Sequence, residues 1–226
     1  MKNLKNTILL CSFIVALLFA SANKADAQKV EFGLRYMPTF STLDVKIFDG
    51  NTLTTDGELG FGAGLILGFN FTDHVGIQGE VIYNEISQKY KELDVERNIN
   101  LKYVNIPLLF SLNTGKTNVV NFNAVVGPQI GISVGSDIST SGGDGTNNAD
   151  AVLSVKKGDL GFAYGAGLDF GLNSARTIRL GLGFRGVYGL FDISDNEQNQ
   201  TTDSYFVLDR TNVKTYSGYA GLSILF

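Results

Sequence analysis

"ELGFGAGLILGFNF", Glu58 to Phe71, decides the fold. Leu59, Phe61, Ala63, Leu65, Leu67, Phe69 and Phe71 fall on every second position, while Gly60, Gly62, Gly64, Gly68 and Asn70 fill the positions between. A period of two is a strand with two chemically different faces. Here one face is aromatic and aliphatic, and the other has almost no side chain. The same alternation recurs on both sides of this stretch. In "VEFGLRYMPTF" Val30, Phe32, Leu34, Tyr36, Pro38 and Phe40 oppose Glu31, Gly33, Arg35, Met37 and Thr39. From Val75 to Ser87, Val75, Ile77, Val81 and Tyr83 oppose Gln78, Glu80 and Asn84. Further strands are predicted from Leu101 to Leu112, Val119 to Val134, Asp159 to Phe170, Ile178 to Leu190 and Lys214 to Phe226. Eight strands result, most of them well beyond the ~5 to 6 residues of globular sheets.

The spacing between the strands alternates as well. Thr72 to His74, Asn113 to Asn118 and Asn173 to Thr177 are tight polar turns, whereas Thr42 to Gly57, Gln88 to Asn100, Gly135 to Lys157 and Asp192 to Val213 read as long loops. An even strand number, strands of at least ~9 to 11 residues and short turns at one end only are the marks of an outer-membrane barrel. An eight-stranded interior is filled by side chains or holds one small ligand, so it cannot take the many large apolar residues of the alternating set. That set must face lipid, and the Gly-rich polar set must face the lumen. The expectation is an all-β, eight-stranded, antiparallel up-and-down transmembrane barrel with both termini in the periplasm. Aromatic girdles are expected from Phe69, Phe71, Phe110, Phe170 and Phe226 at one level and Tyr36, Phe61, Tyr83, Tyr188 and Tyr216 at the other. Pro107 and Pro128 each remove a ladder donor inside a strand, which predicts bulges there.

Composition agrees with this reading. The 226 residues carry a formal charge of −4, 27 Gly, 16 Phe, 9 Tyr, no Trp and one Cys, too apolar and aromatic for a disordered chain. Residues 1–27 have the basic start, apolar run and Ala25-Asp26-Ala27 end of a secretory signal peptide, with Ala20-Ser21-Ala22 as a second possible cleavage site, leaving residues 28–226 as the barrel domain. Cleavage there removes Cys11, so no disulfide framework is expected.

Few residues could carry chemistry. His74, the single histidine, lies in a short turn, so a hydrolytic triad in the long loops would lack its base. The lumen set Glu31, Arg35, Glu80, Asp159, Asp169, Arg179 and Arg185 is expected to pair into a charged plug, with Arg179 and Arg185 sharing Glu80, Asp159 and Asp169. The long loops carry Asp137, Asp144, Asp150, Asp192, Asp195, Glu197 and Asp203, but their spacing matches no EF-hand. No cofactor or metal is expected. Basic clusters for nucleic acid are absent. Outer-membrane lipid is the expected environment, and the loops could present a surface to a protein partner or ligand.

Two resemblances add to this. "YAGLSILF" at the end of the chain resembles the signal read by the bacterial barrel assembly machinery, with Tyr219, Gly221, Ile224 and Phe226 at the matching positions. "YVNIPLLF" (103–110), "AVVGPQIGI" (124–132), "GFAYGAGLDF" (161–170) and "FGLRYMPTFS" (32–41) resemble strands of the PorT-like outer-membrane β-barrel family. That resemblance names no active site. The residues themselves point to a non-enzymatic surface barrel that stabilises the envelope or presents loops to a ligand or partner, and the resemblance alone implies the alternative, a component of a type IX-like secretion apparatus.

Overall fold

The computed structural model describes residues 30–42, 44–46, 52–54, 58–92, 95–142, 150–195, 204–206 and 212–226. The expected leader, and the loop acids Asp144, Glu197 and Asp203, lie outside the described residues. The strands are β1 (Val30–Thr42), β2 (Asp44–Lys46), β3 (Thr52–Thr54), β4 (Leu59–Asn70), β5 (Val75–Glu92), β6 (Val95–Asn113), β7 (Val120–Gly142), β8 (Asp150–Val152), β9 (Gly158–Gly171), β10 (Ile178–Gly189), β11 (Ser204–Phe206) and β12 (Lys214–Leu225). Eight of them close a barrel in the order β1-β12-β10-β9-β7-β6-β5-β4, and every neighbouring pair is antiparallel. Each long strand pairs with the next in sequence and the last with the first, so the barrel leaves no open edge. The short strands form a β2–β3 hairpin and a parallel β8–β11 ribbon outside the barrel wall.

Alternation sets the two faces as expected. Leu34, Leu65, Val81, Leu108, Phe122 and Leu182 stand exposed on the outer surface, while Glu31, Gln78, Glu80, Asn121, Arg179 and Arg185 are buried inside. Outer aromatics meet across strands: Phe61 and Tyr83 have ring centroids 6.4 Å apart, as do Phe184 and Tyr216. The bare glycine positions of the inner face make room for one large ring. A Cβ at Gly167 would stand 2.1 Å from the Tyr219 hydroxyl, and one at Gly183 would stand 2.6 Å from its ring.

Two expectations are corrected. Residues 88–92 and 95–100 are strand and not loop, because β5 and β6 stay paired out to Glu92↔Val95. These residues look polar, yet the period of two continues: Ile86, Gln88, Ile99 and Leu101 turn inward and are buried. β7 likewise runs on past Val134 to Gly142 and stays paired with β6. At 18, 19 and 23 residues, β5, β6 and β7 are about twice the ~9 to 11 needed to span a bilayer, so their paired ends project beyond it.

The prolines cause no bulge. The β6–β7 register is the same at Pro107↔Gln129 and Phe110↔Val126, with the rungs between left unmade, and β5–β6 skips the rungs opposite Ile106 and Pro107. Losing a donor costs rungs but no register when the flanking pairs hold the strands in place. The one register shift falls between Lys102 and Tyr103. It inserts a single residue into β7 and thereby reverses which parity faces inward. Ile132, below it, is on the outer surface, whereas Ile138, above it, packs on the inner cluster.

Candidate functional site

The lumen is layered. At its centre Glu80 of β5, with a fully buried side chain, accepts hydrogen bonds from Arg35 of β1 (Nη1–Oε1 2.5 Å) and Arg185 of β10 (Nη2–Oε1 3.0 Å). Gln78 donates to the same carboxylate. The Arg35 guanidinium lies 4.1 Å from the centre of the Tyr219 ring, a cation–π contact that ties β12 into the cluster. Sharing one acid between two guanidiniums disperses the charge that each strand carries inward.

Below this, at the end of the short turns, the closing cation comes from the β6–β7 turn and was not singled out in the sequence. Lys116 is 5% exposed and points up into the barrel, with its Nζ 2.6 Å from Glu31 Oε2 and 3.9 Å from Asp169 Oδ2. Asp169 also accepts from Asn121 and Asn123, both at 2.9 Å. Arg179 departs from expectation. Among the described residues its guanidinium takes no carboxylate but donates to the main-chain oxygens of Lys116 (2.8 Å), Asn118 (3.0 Å) and Asp169 (2.9 Å). It therefore pins the turn that carries Lys116. Asp73, from the β4–β5 turn, accepts from the Thr117 backbone at 2.8 Å and fastens the same turn from the other side. The sequence held one signal for Lys116: four lumen acids against three arginines leave one carboxylate short of a cation.

Above the centre, an apolar layer replaces the charges. Ile86, Ile99, Leu101, Tyr103, Ile193 and Val213 form a buried cluster, with Ile138, Leu153 and Val155 packed on it. Ile193 and Val155 come from the connections flanking β9 and β10, which are held together by the Val155↔Ser194 bridge. Asp159, on β9 just under this layer, is the lumen acid that does not join the others. The structure thus brings Arg35, Glu80 and Arg185 together, places Glu31 and Asp169 around Lys116, and leaves Asp159 apart.

The remaining residues of interest are at the ends. His74 is exposed in its turn, with Nδ1 3.2 Å from the Asn113 oxygen. Tyr219 and Gly221 are on the inner face of β12, and Ile224 is on the outer. The Phe226 N–H donates to the Val30 oxygen at 2.8 Å, so the last residue completes the seam with β1. Among the described residues no three His, Cys, Asp or Glu side chains gather as metal ligands would.

The model of a family described as outer membrane protein beta-barrel domain matches residues 19–195. No curated protein matches the chain. Among solved structures, the outer membrane protein OprG from Pseudomonas aeruginosa is 15% identical, covering 89% of this chain and 99% of its own, with a TM-score of 0.54. Neisserial surface protein A is 14% identical over 86% of this chain and 97% of its own, at a TM-score of 0.47. Ail, the attachment invasion locus protein of Yersinia pestis, is 17% identical over 87% of this chain and 99% of its own, at 0.42. At these identities the likeness to OprG shows the fold alone.

Proposed function

This chain belongs to the outer membrane protein beta-barrel domain family, and from that premise we propose that it is a non-enzymatic barrel of the bacterial outer membrane with a closed lumen. It acts in envelope structure or in binding a ligand or partner through the loops opposite the short turns. The observation that carries this reading is the stacking of the Lys116 layer, the Arg35–Glu80–Arg185 cluster and the apolar layer around Ile99 across one narrow interior. Buried charges so partnered leave no continuous water path. Purified protein in planar bilayers should therefore show no steady single-channel conductance. Reproducible ohmic steps would refute the closed lumen and make the protein a pore.

The short turns lie in the periplasm with both termini, and the long loops lie outside the cell. Protease added to whole cells should then cut between Gly135 and Lys157 and spare Thr72 to His74. Cleavage seen only after permeabilisation would reverse the orientation and remove the exposed binding surface.

The PorT-like motifs around Pro107 and Pro128 support a second reading, a component of a type IX-like secretion apparatus. Both prolines sit where β-ladder rungs are missing, so the motif is a feature of wall architecture. A gentle detergent pull-down of native protein separates the two readings. Secretion components travelling with it would favour the second.

A further inference from the structure

Asp159 lies beneath the apolar layer with no Lys or Arg in ion-pair contact among the described residues, although its three fellow lumen acids all have one. It lines a small cavity of about 20 Å³ together with Asn105, Gln129, Thr215 and Tyr103. Tyr103 is 2% exposed, and its hydroxyl has no hydrogen-bond partner. A Cβ at Gly131 would stand 2.5 Å from Asp159 Oδ1 and 3.3 Å from Asn105 Oδ1, so two acceptor oxygens converge on one point that only a glycine leaves open. Asp159 is also one of the residues bordering an outer groove with Lys156, Leu160, Phe191 and Asp192. There Lys156 is turned to Asp192, at 3.9 Å, and not to Asp159.

A buried carboxylate that accepts the Gly131 N–H but has no counter-ion among the described residues is costly under an apolar layer, and it is neutralised by a proton or by a cation. The surroundings favour a cation, because they offer several oxygens and an idle buried hydroxyl. The cavity, which Ile86, Val187 and Val213 also line, exceeds the ~10 to 15 Å³ that one water-sized particle needs, so it has room for a single ion or a single water. Calcium takes 6 to 8 oxygens and binds tightly through several carboxylates, whereas one carboxylate with neutral oxygens matches a single positive charge. We infer that Asp159, with Asn105, Gln129, Tyr103 and Thr215, forms a binding site for one monovalent alkali cation, sodium or potassium, in the upper lumen. This goes beyond the proposed function and does not depend on it.

The test is thermal unfolding of the whole folded protein in detergent, at constant ionic strength, in sodium chloride, potassium chloride or N-methyl-D-glucamine chloride. The wild type should melt several degrees higher in at least one alkali salt than in the bulky organic salt, and the gain should saturate. Asp159→Asn should melt alike in all three. Equal wild-type midpoints in the three salts would mean that water or a proton fills the site and would overturn the proposal, as would full salt dependence in Asp159→Asn. Should that variant not fold, Tyr103→Phe takes its place: a severalfold higher half-saturating concentration of the favoured ion is expected, and an unchanged one counts against the site.

Discussion

Glu80→Ala should destabilise the barrel by about 3 to 5 kcal/mol, the cost of leaving a buried charge without its partner. The carboxylate is the common acceptor of Arg35 and Arg185, so its removal strands two guanidiniums at once, one of them 2% exposed. The alternation of β10 makes Arg185 the natural target from sequence, on the expectation that its truncation leaves a bare acid. The geometry alters that ranking. In Arg185→Ala the Glu80 carboxylate keeps Arg35 at 2.5 Å and the Gln78 amide, so the loss should be clearly smaller. Urea unfolding of folded protein in detergent checks both variants on one scale. A loss in Arg185→Ala equal to or above that in Glu80→Ala would mean that Glu80 is not the shared acceptor.

Deleting Phe226, or changing it to Asp, should sharply reduce the amount of folded protein in the outer membrane. Three separate causes act at this residue. Its backbone closes the β1–β12 seam, donating to the Val30 oxygen at 2.8 Å and accepting from the Val30 N–H at 3.3 Å. An open seam in lipid leaves polar groups with nothing to bond to. Its side chain faces the outer surface beside Val30 and Phe32, where an acid is unfavourable. It is also the last position of the motif shared with assembly substrates. Heat-modifiable migration on gels reports the folded fraction, and Phe226→Leu separates the causes because it keeps the backbone and the apolarity but not the aromatic ring. Normal folded levels in Phe226→Asp would show that the assembly machinery does not read this residue.

Much of the fold was legible because the information is local. A period of two in "ELGFGAGLILGFNF" needs only neighbouring residues to be recognised, and where one face is glycine and the other Phe and Leu, only a closed sheet in an apolar medium satisfies both. The inward direction of Glu31, Arg35, Glu80, Asp159, Asp169, Arg179 and Arg185 followed from parity alone. What parity does not contain is distance across the barrel. Glu80 and Arg185 are 105 residues apart and on strands that share no ladder, so their meeting depends on strand tilt and on the height each reaches inside the cylinder. The same holds for Lys116, a turn residue with no strand parity, which enters the lumen only because Arg179 and Asp73 fold its turn inward. Stretch 88–100 misled for a related reason: outside the bilayer the outer face of a strand meets water, so Ser87, Lys89, Asn98 and Asn100 erase the composition contrast while Ile99 and Leu101 keep the period. Strand direction and facing were therefore decided by the order of residues along the chain. Which charges neutralise one another, and that Asp159 is left over, was decided by closure of the wall, which sets the distances between residues far apart in the chain.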